Sequence, residues 1–368
     1  AWLWLLINTL RHSPEPHIFT PCRFIVGVPG NRNILFQDTV HNGQPYAAAT
    51  LDVHRPRFRL LPGLPDRNPA AIARAVLPLV RDLHAKRPFD LIDAEFFYPD
   101  GPAAQAIAGA LHLPYTVKAR GADIHHWGRR EGSREAVLEA ARGAAGMLAV
   151  CGALKDDMAA LGMDADKITV HYTGCDQTRF RPVDGTGLRA RLGIDGPVIA
   201  TLGALIERKR QDLVIEALAA LPGVTLLLIG KGEREAAYRA LPQAQGVADR
   251  VHFVGAVPHD DLPEWLSAAD VLVSPSDSEG LANAWVEALA CGTPVVVSEA
   301  GGARELVANA VAGRVTAQEP GAIADTVREL LADKPDRAAV RATVERFSWD
   351  RNGEELEGFF RRVLALKP

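Results

Sequence analysis

VLVSPSDSEGLANAWVEALACGTPVVVSEAGG, residues 271–302, contains two apolar runs separated by a polar loop and an amphipathic stretch. This alternation is typical of a βαβ unit, the building block of a parallel sheet. We predict a strand that ends near Ser276 and a helix that runs from Leu281 to Ala290. Glu279 then lies in the loop, and Glu287, eight positions later, lies on the helix.

The same alternation extends from this segment towards the amino terminus and divides into two series. The apolar runs of the nearer series are PVIATLG, VTLLLIG, RVHFVG, DVLVSPS and TPVVVS, and those of the farther series are FDLIDAEF, LPYTVKA, AAGMLAVC and DKITVHY. Each series predicts a Rossmann-like parallel sheet covered by helices. The predicted fold class is α/β with two Rossmann-like domains that face each other across a cleft, and such sheets bind ligands at the carboxyl ends of their strands.

Between the two series, Gly, Pro and charged residues interrupt the periodicity in TGCDQTRFRPVDGTGLRARLGIDG. We place the domain junction near residues 178–196, so the predicted domains are 1–182 on the acceptor side and 183–345 on the donor side. Residues 346–368 are predicted to form a terminal helix that packs back on the first domain with Phe359, Phe360 and Val363 on one face. Residues 1–50 are atypical, because they show no clear βα unit.

The composition excludes several classes of protein. The chain has 368 residues, of which 48% are hydrophobic and 23% charged, as in soluble globular proteins. A net charge of −4 and a pI near 6.3 give no indication of a nucleic-acid partner. The four cysteines form no C-x-x-C pair, which suits a reducing compartment, and the apolar opening AWLWLLI is too short to span a bilayer. We therefore expect a cytoplasmic protein.

The helix predicted after Glu279 is a candidate phosphate site. A helix N-terminus presents free amide groups and a partial positive charge, and the small Gly280 lets a ligand come close. Glu287 can accept both hydroxyls of a ribose, and Glu279 can bind hydroxyls of the group beyond the phosphates. Alternatively, both are ordinary surface carboxylates, with Glu279 favoured by the helix dipole. The amides predicted to contact phosphate are those of Leu281, Ala282 and Asn283.

Three consecutive cations, Arg208, Lys209 and Arg210, follow the first strand of the same domain. In a loop before a helix they can neutralise a diphosphate and stabilise its charge as it leaves. Taken alone, such a run is more often a solvated charged surface. Together with the two glutamates, it predicts the second half of a diphosphate pocket.

With these motifs the chain resembles the retaining glycosyltransferases of the GT-B fold that are commonly numbered family four. The resemblance covers residues 51 to 368 and rests on the two glutamates followed by ACGTPVV and GG, supported by ERK, VHFVGAVP and AADVLVSPS. It implies transfer of a sugar from a nucleoside diphosphate, UDP or GDP, with retention of anomeric configuration and without a metal ion or other cofactor. The leaving phosphate itself is expected to help deprotonate the incoming hydroxyl.

The resemblance also implies roles for individual residues. Lys209 would meet the diphosphate with Arg208 nearby, and the loop after Val254 would hold the base. Glu287 would bind the donor ribose, and Glu279 would contact the transferred sugar. The family often has Arg directly after the strand glycine, whereas this chain has Gly203 followed by Ala204, so Arg208 or Arg210 is expected to replace that contact.

The acceptor is predicted to meet the loop KARGADIHHWG of the first domain, where Arg120 stands in the place of a frequent family histidine. Arg120 can contact the donor phosphate or an anionic acceptor, or it can pair with Asp123 in the scaffold. Glu95 and Asp100 are candidates to orient an acceptor hydroxyl or to act as a base, with helix capping the alternative for Asp100. Asp123 and His125 complete the acceptor candidates, and no metal site is predicted, because adjacent histidine side chains diverge.

Residues 51–90 carry eight Lys or Arg against four Asp or Glu. With Phe58, Leu60 and Leu61, this excess allows two interpretations. One is peripheral contact with an anionic membrane that carries a lipid-linked acceptor, and the other is an ordinary solvated face.

The leading hypothesis is a retaining GT-B glycosyltransferase that acts on a saccharide or glycolipid acceptor, in the cytoplasm or on the cytoplasmic face of a membrane. The alternative is a GT-B protein that binds sugar nucleotides with impaired or no catalysis because of its atypical start. A glycoside hydrolase would use a close pair of carboxylates and would leave the ERK cations without a purpose. A dehydrogenase is disfavoured, because GKGERE lacks the third glycine of the dinucleotide fingerprint.

Overall fold

The structure, a computed structural model, describes residues 5–8, 17–19, 22–25, 52–54, 56–60 and 65–365. The chain divides into two compact units by its own contacts. The first unit contains the chain up to His171 and the residues from Glu354 onward. The second unit is Tyr172–Gly353. The expectations for the atypical start and for Leu61 fall mostly or wholly outside the described residues.

The first unit contains a seven-stranded sheet in the order β4-β2-β1-β6-β7-β8-β9 and a two-stranded sheet of β3 and β5. Strands β6 to β9 are parallel, whereas β1 is antiparallel to both β2 and β6. The strands are β1 (Leu5–Asn8), β2 (His17–Phe19), β3 (Cys22–Ile25), β4 (Asp52–His54), β5 (Arg57–Leu60), β6 (Leu91–Ala94), β7 (Tyr115–Ala119), β8 (Gly146–Ala149) and β9 (Ile168–Val170).

Helices cover the parallel part of this sheet. They are α1 (Asn68–Lys86), α2 (Asp100–Leu111), α3 (Glu131–Gly143), α4 (Gly152–Leu161) and α13 (Trp349–Ala365), whose first residues still belong to the second unit. The apolar face of α13 consists of Phe359, Phe360 and Val363, which pack with Leu91 of β6 and Leu148 of β8. The residues of α13 from Glu354 onward therefore belong to the core of the first unit.

The second unit is a six-stranded parallel sheet in the order β12-β11-β10-β13-β14-β15. Its strands are β10 (Val198–Leu202), β11 (Thr225–Ile229), β12 (Val251–Gly255), β13 (Val271–Ser274), β14 (Val295–Ser298) and β15 (Gly313–Thr316). Its helices are α5 (Thr186–Arg191), α6 (Gln211–Ala217), α7 (Glu235–Ala244), α8 (Leu262–Ala268), α9 (Asn283–Ala290), α10 (Ala303–Leu306), α11 (Pro320–Asp333) and α12 (Arg337–Ala342). The prediction of two Rossmann-like α/β domains is confirmed.

The strand order of the second unit places a topological switch point between β10 and β13. The chain moves outward from β10 to β12 on one side and from β13 to β15 on the other. The loops that leave β10 and β13 therefore diverge, and a crevice between such loops is where doubly wound sheets bind ligands. These two loops carry the predicted cations and Glu279.

The segment that was expected to join the domains belongs to the second unit, and the division falls between His171 and Tyr172 rather than near residue 182. The backbone amide of Cys175 donates to the carbonyl of Phe347 at 2.6 Å. Arg341 donates to the carbonyls of Gln177 and Phe180 at 2.8 and 2.7 Å. These long-range bonds bind the segment to residues near the end of the second unit, a pairing that Gly and Pro content does not reveal.

Two observations bear on the predicted membrane contact. None of the described helices has both the length and the apolar character needed to cross a membrane. The side chain of Phe58 is only 6% exposed. Phe58 is therefore part of the packed interior of the first unit and does not contribute to the apolar contact surface that the membrane interpretation included.

Candidate functional site

The loop after β10 contains the three predicted cations. It begins at Gly203, whose φ of 145° suits glycine, and a one-turn 3-10 helix covers Glu207–Lys209. Arg210 adopts a left-handed φ of 51° immediately before α6. This turn directs Arg208 and Lys209 towards the loop after β13, and the amide of Asp277 in that loop donates to the Arg208 carbonyl at 2.8 Å.

Glu279 is the acidic centre of the site. Its Oε1 lies 2.5 Å from Lys209 Nζ and 3.3 Å from Arg208 Nη1. Arg208 also donates to the carbonyl of Ser278. The Glu279 and Lys209 side chains are only 9% and 16% exposed, so this ion pair at the switch point is largely desolvated. Arg208 is 42% exposed and retains contact with solvent. The predicted meeting of these two loops is therefore present in the second unit.

Arg210 does not take part in this cluster. Its guanidinium lies 3.2 Å from the Asp212 carboxylate and 3.4 Å from that of Asp277, and both carboxylates help to raise its pKa. Of the two residues expected to compensate for the missing arginine after Gly203, only Arg208 faces Glu279. The left-handed backbone at Arg210 turns its side chain away, and sequence spacing alone does not show that.

The helix after Glu279 begins later than predicted. It starts at Asn283 rather than Leu281, because Gly280, Leu281 and Ala282 still belong to the loop. The described residues provide no acceptor for the amides of Leu281, Ala282 and Asn283, and no side chain caps the helix. These amides are therefore available for an anion at the positive end of α9.

Glu287 lies on α9 and is held by a residue that the sequence did not suggest. Its Oε1 is 2.9 Å from Nε2 of His259, which follows β12. The Glu287 and His259 side chains are 13% and 19% exposed, respectively. His259 lies in the loop AVPHDD that was expected to hold the base, and a polar residue there, at the carboxyl end of a parallel strand, was the available signal.

Val254 borders a cavity of about 670 Å³ along the edge strand β12, together with Ala256, Val257 and Pro258. Neither glutamate nor Lys209 lines this cavity, so it is not the ion cluster. The loop after Val254 thus lines the cavity as far as Pro258, and the following residue, His259, contacts Glu287.

In the first unit, Arg120 pairs with Glu95 rather than with the Asp123 side chain. Its Nη2 contacts Glu95 Oε2, and its Nε donates to the Glu95 carbonyl at 3.0 Å. Although burial alone would raise the pKa of Glu95, the Arg120 guanidinium and Lys118 hold it below the ordinary value. Both side chains retain exposure, 41% for Arg120 and 14% for Glu95, so this ion pair can meet a ligand.

Asp123 is fully buried and serves the loop itself. Its oxygens accept from the amides of Phe97, Arg120 and Gly121 at 2.9, 3.0 and 2.8 Å. These bonds satisfy backbone donors of the loops that follow β6 and β7. A carboxylate used in this way has a scaffold role, so the geometry gives no support to acceptor binding by Asp123.

The remaining acceptor candidates are Asp100 and His125. Asp100 is buried as the first residue of α2. His125 Nε2 lies 2.9 Å from the carboxylate of Asp157 on α4. Within the described ranges, no group of three His, Cys, Asp or Glu side chains is placed to hold a metal ion.

Comparisons with known proteins identify two matching family models. Residues 188–346 match the model for glycosyl transferases group 1, and residues 30–179 match the model for glycosyltransferase family 4. Each model therefore covers the greater part of one of the two described units.

Two curated relatives are similar over about half of the chain. A GDP-mannose-dependent monoacylated alpha-(1-6)-phosphatidylinositol monomannoside mannosyltransferase of Corynebacterium glutamicum is 37% identical over 205 residues, 50% of this chain and 53% of the relative. A D-inositol 3-phosphate glycosyltransferase of Xylanimonas cellulosilytica is 36% identical over 225 residues, 56% of this chain and 54% of the relative. The chain thus matches about half the length of these relatives.

Solved structures share the fold over most of the chain. Anabaena HepE in complex with UDP has a TM-score of 0.73 at 24% identity, covering 84% of this chain and 86% of HepE. Sucrose-phosphate synthase of Thermosynechococcus elongatus has a TM-score of 0.70 at 21% identity, covering 87% of this chain and 91% of the synthase. The fold of this chain is GT-B.

Proposed function

We propose that this GT-B protein is a glycosyltransferase and that it takes its sugar from a nucleoside diphosphate bound at the carboxyl ends of β10 and β13. The observation that carries the proposal is the cluster of Arg208, Lys209 and Glu279 beside the free amides at the start of α9. Two cations and a helix N-terminus provide positive charge for a diphosphate, and a carboxylate suits the hydroxyls of a sugar attached to it.

Donor binding would rearrange the ion pairs of this cluster. Glu279 pairs with Arg208 and Lys209 through one carboxylate oxygen. A diphosphate carries more negative charge than one carboxylate, so we infer that both cations turn to its oxygens. Glu279 is then released to accept hydroxyl groups of the transferred sugar.

We infer that the reaction retains anomeric configuration and requires no resident metal ion. Arg208, Lys209 and the amides of α9 supply positive charge where the diphosphate develops negative charge as it leaves. An oxygen of the leaving phosphate, adjacent to the reacting carbon, takes the proton of the acceptor hydroxyl. The anomeric proton coupling of the product and the activity after treatment with a chelator test these two statements.

The similar proteins suggest the class of donor and acceptor. The name of the Corynebacterium relative specifies GDP-mannose, and the HepE structures contain UDP or UDP-glucose. We therefore propose a UDP or GDP sugar as donor and a saccharide or lipid-linked saccharide as acceptor. Arg120 and Glu95 are the candidate acceptor contacts, and attachment to the cytoplasmic face of a membrane would bring a lipid-linked acceptor to them.

The first experiment is a screen of UDP, GDP and ADP sugars for thermal stabilisation of the full chain. A nucleotide present at one hundred times its Kd stabilises the folded state by about 2.7 kcal/mol. Transfer to saccharide and glycolipid acceptors is measured with the nucleotides that bind. Tight binding without turnover for any acceptor would favour the alternative of a binding protein, and absence of any nucleotide binding would contradict the proposal.

Two variants separate the roles within the site. Glu287→Ala is expected to weaken nucleotide binding about tenfold or more, because it removes a charged acceptor of ribose hydroxyls. Lys209→Ala is expected to reduce kcat more than affinity, because its charge matters most when the diphosphate leaves. Arg210→Ala is the matched control, since that cation is paired with Asp212 and Asp277 instead. Identical behaviour of all three variants and the parent contradicts the assignment.

A further inference from the structure

Glu287 does not stand alone at the site, because His259 contacts one of its two oxygens. Nε2 of His259 lies 2.9 Å from Oε1, and in the described part of the chain Oε2 accepts no hydrogen bond. A carboxylate with one oxygen held and the other open has a defined orientation. The remaining oxygen and lone pairs are available to a ligand that carries hydroxyls.

The second ring nitrogen of His259 determines where its proton lies. Nδ1 is 3.3 Å from Nη1 of Arg179. A guanidinium has donors only, so Nδ1 must accept this hydrogen bond and carries no proton. The ring is therefore the neutral tautomer with its proton on Nε2, and that proton is donated to Glu287.

Arg179 is itself held in place, and an aromatic neighbour packs against the His259 ring. Arg179 lies 3.1 Å from the carboxylate of Asp260 and 3.7 Å from that of Asp176. The ring of Phe180 packs edge-on against His259 with centroids 4.8 Å apart. These contacts restrict the imidazole from both sides, so its orientation does not depend on Glu287 alone.

We propose that His259 is a positioning residue that aligns Glu287 for the hydroxyls of a ribose, and that Arg179 selects the His259 tautomer this requires. The inference rests on the proposed function, because it concerns the nucleotide of the donor. The consequence is that the protein distinguishes ribonucleotides from 2′-deoxynucleotides. A ribonucleotide uses the aligned Glu287 oxygen, whereas a 2′-deoxynucleotide leaves it without one of its donors.

The test compares Kd values for UDP and 2′-deoxy-UDP, or for GDP and 2′-deoxy-GDP, by calorimetry on the full chain. The parent is expected to prefer the ribonucleotide by about tenfold or more, because a hydrogen bond to a charged group is lost in the deoxy ligand. His259→Ala should lose most of this preference. His259→Gln should retain it, because its amide group places a donor where Nε2 was.

Two further comparisons separate positioning from a general structural role. In the Glu287→Ala background, His259→Ala should change the ratio of the two Kd values no further, since the residue acts through Glu287. Arg179→Met should lower the preference in the parent but not in the His259→Gln chain, whose donor requires no tautomer selection. A structural defect would instead persist in both backgrounds.

The outcomes distinguish failure of the role of His259 from failure of the proposed function. If the parent binds nucleotides with a clear ribose preference and His259→Ala keeps that preference, the inference is overturned while the proposed function stands. Tighter ribonucleotide binding by His259→Ala would show that the histidine competes with the ligand, and this also overturns it. If the parent binds no nucleotide, the proposed function itself fails, and the inference fails with it.

Discussion

Buried ionisable side chains of the first unit lie side by side on β6 and β7. Thr116 donates to Asp93 Oδ1 at 2.5 Å, and Lys118 Nζ lies 2.9 Å from Nδ1 of His171. Burial raises the pKa of Asp93 to about 8, with a further contribution from Glu95, although Thr116, Lys118 and Arg120 act in the opposite direction. Burial likewise lowers the pKa of Lys118. Charged forms are therefore disfavoured here by loss of water.

The stability of the chain is expected to depend on the protonation of Asp93. The unfolded chain releases this proton near the ordinary value of 3.8, whereas the folded chain keeps it to about pH 8. The contribution of the neutral carboxyl is therefore complete below pH 4 and is lost as the pH rises through 8. The Asp93→Asn side chain stays neutral at every pH. The free energy of unfolding of the variant, minus that of the parent, should therefore increase by more than about 1 kcal/mol from pH 4 to pH 8.

Urea unfolding at several pH values measures this difference. The exposed Asp249→Asn is the control and should follow the profile of the parent. Parallel pH profiles of Asp93→Asn and the parent between pH 4 and 8 would show that Asp93 is ionised in the folded chain, contrary to this prediction.

At the scale of elements, the loop after β13 is shaped by contact with the loop after β14. The amide of Gly302 donates to the carbonyl of Gly280 at 2.8 Å. Gly301 has a left-handed φ of 51°, and a Cβ atom there would overlap the carbonyl oxygens of Glu279 and Gly280. The GG pattern thus permits a close approach of backbones that holds the loop of Glu279.

Gly301→Ala is expected to destabilise the chain by roughly 1 to 3 kcal/mol and to weaken nucleotide binding, because the Glu279 loop must move. Gly321→Ala on α11 is the matched control, since a Cβ there meets nothing within 4 Å and Ala favours a helix. Thermal unfolding and nucleotide titration measure both effects. Unchanged binding by Gly301→Ala would show that this contact does not position the donor loop.

The last helix, α13, is attached to the first unit by its aromatic face. Phe360 is 1% exposed and packs in a cluster with Leu91 and Leu148. Phe360→Ala should therefore lower the free energy of unfolding by about 3 to 5 kcal/mol. Arg362→Ala, on the exposed face of the same helix, should change it by less than about 0.5 kcal/mol. Similar small effects of both changes in denaturant unfolding would contradict the packing described here.

At the scale of the whole molecule, the two units have different expected roles in donor binding. Addition of UDP or GDP should slow hydrogen exchange of peptides that contain Leu281 to Asn283, because these amides then donate to phosphate. Peptides from α1 in the first unit serve as the control and should exchange as before. Mass spectrometry measures both. Unchanged exchange at residues 281–283 with a nucleotide bound would contradict a phosphate position at the start of α9.

Much of the architecture follows from local pattern. Apolar runs of strand length alternate with helical stretches, so five of the six strands of the second sheet and four of the first were expected at close to their observed positions, except that β13 ends at Ser274 and α9 begins at Asn283. The sixth strand of the second sheet, β15, was not predicted. The residue types of the proposed donor site were also recognisable, because cations, small residues and acids followed predicted strands. The boundary of the units was not, since it depends on bonds such as Cys175 to Phe347 between distant segments.

By itself, the amino-acid sequence determined the class of fold and the chemistry that each strand carries to its carboxyl end, because both depend on local periodicity and residue type. Strand order, and with it the meeting of Glu279 with Lys209, was decided only in the tertiary structure. The same holds for the burial of Asp123 and for the contact of His259 with Glu287. These features arise from packing between segments far apart in the chain, and no local pattern contains that information.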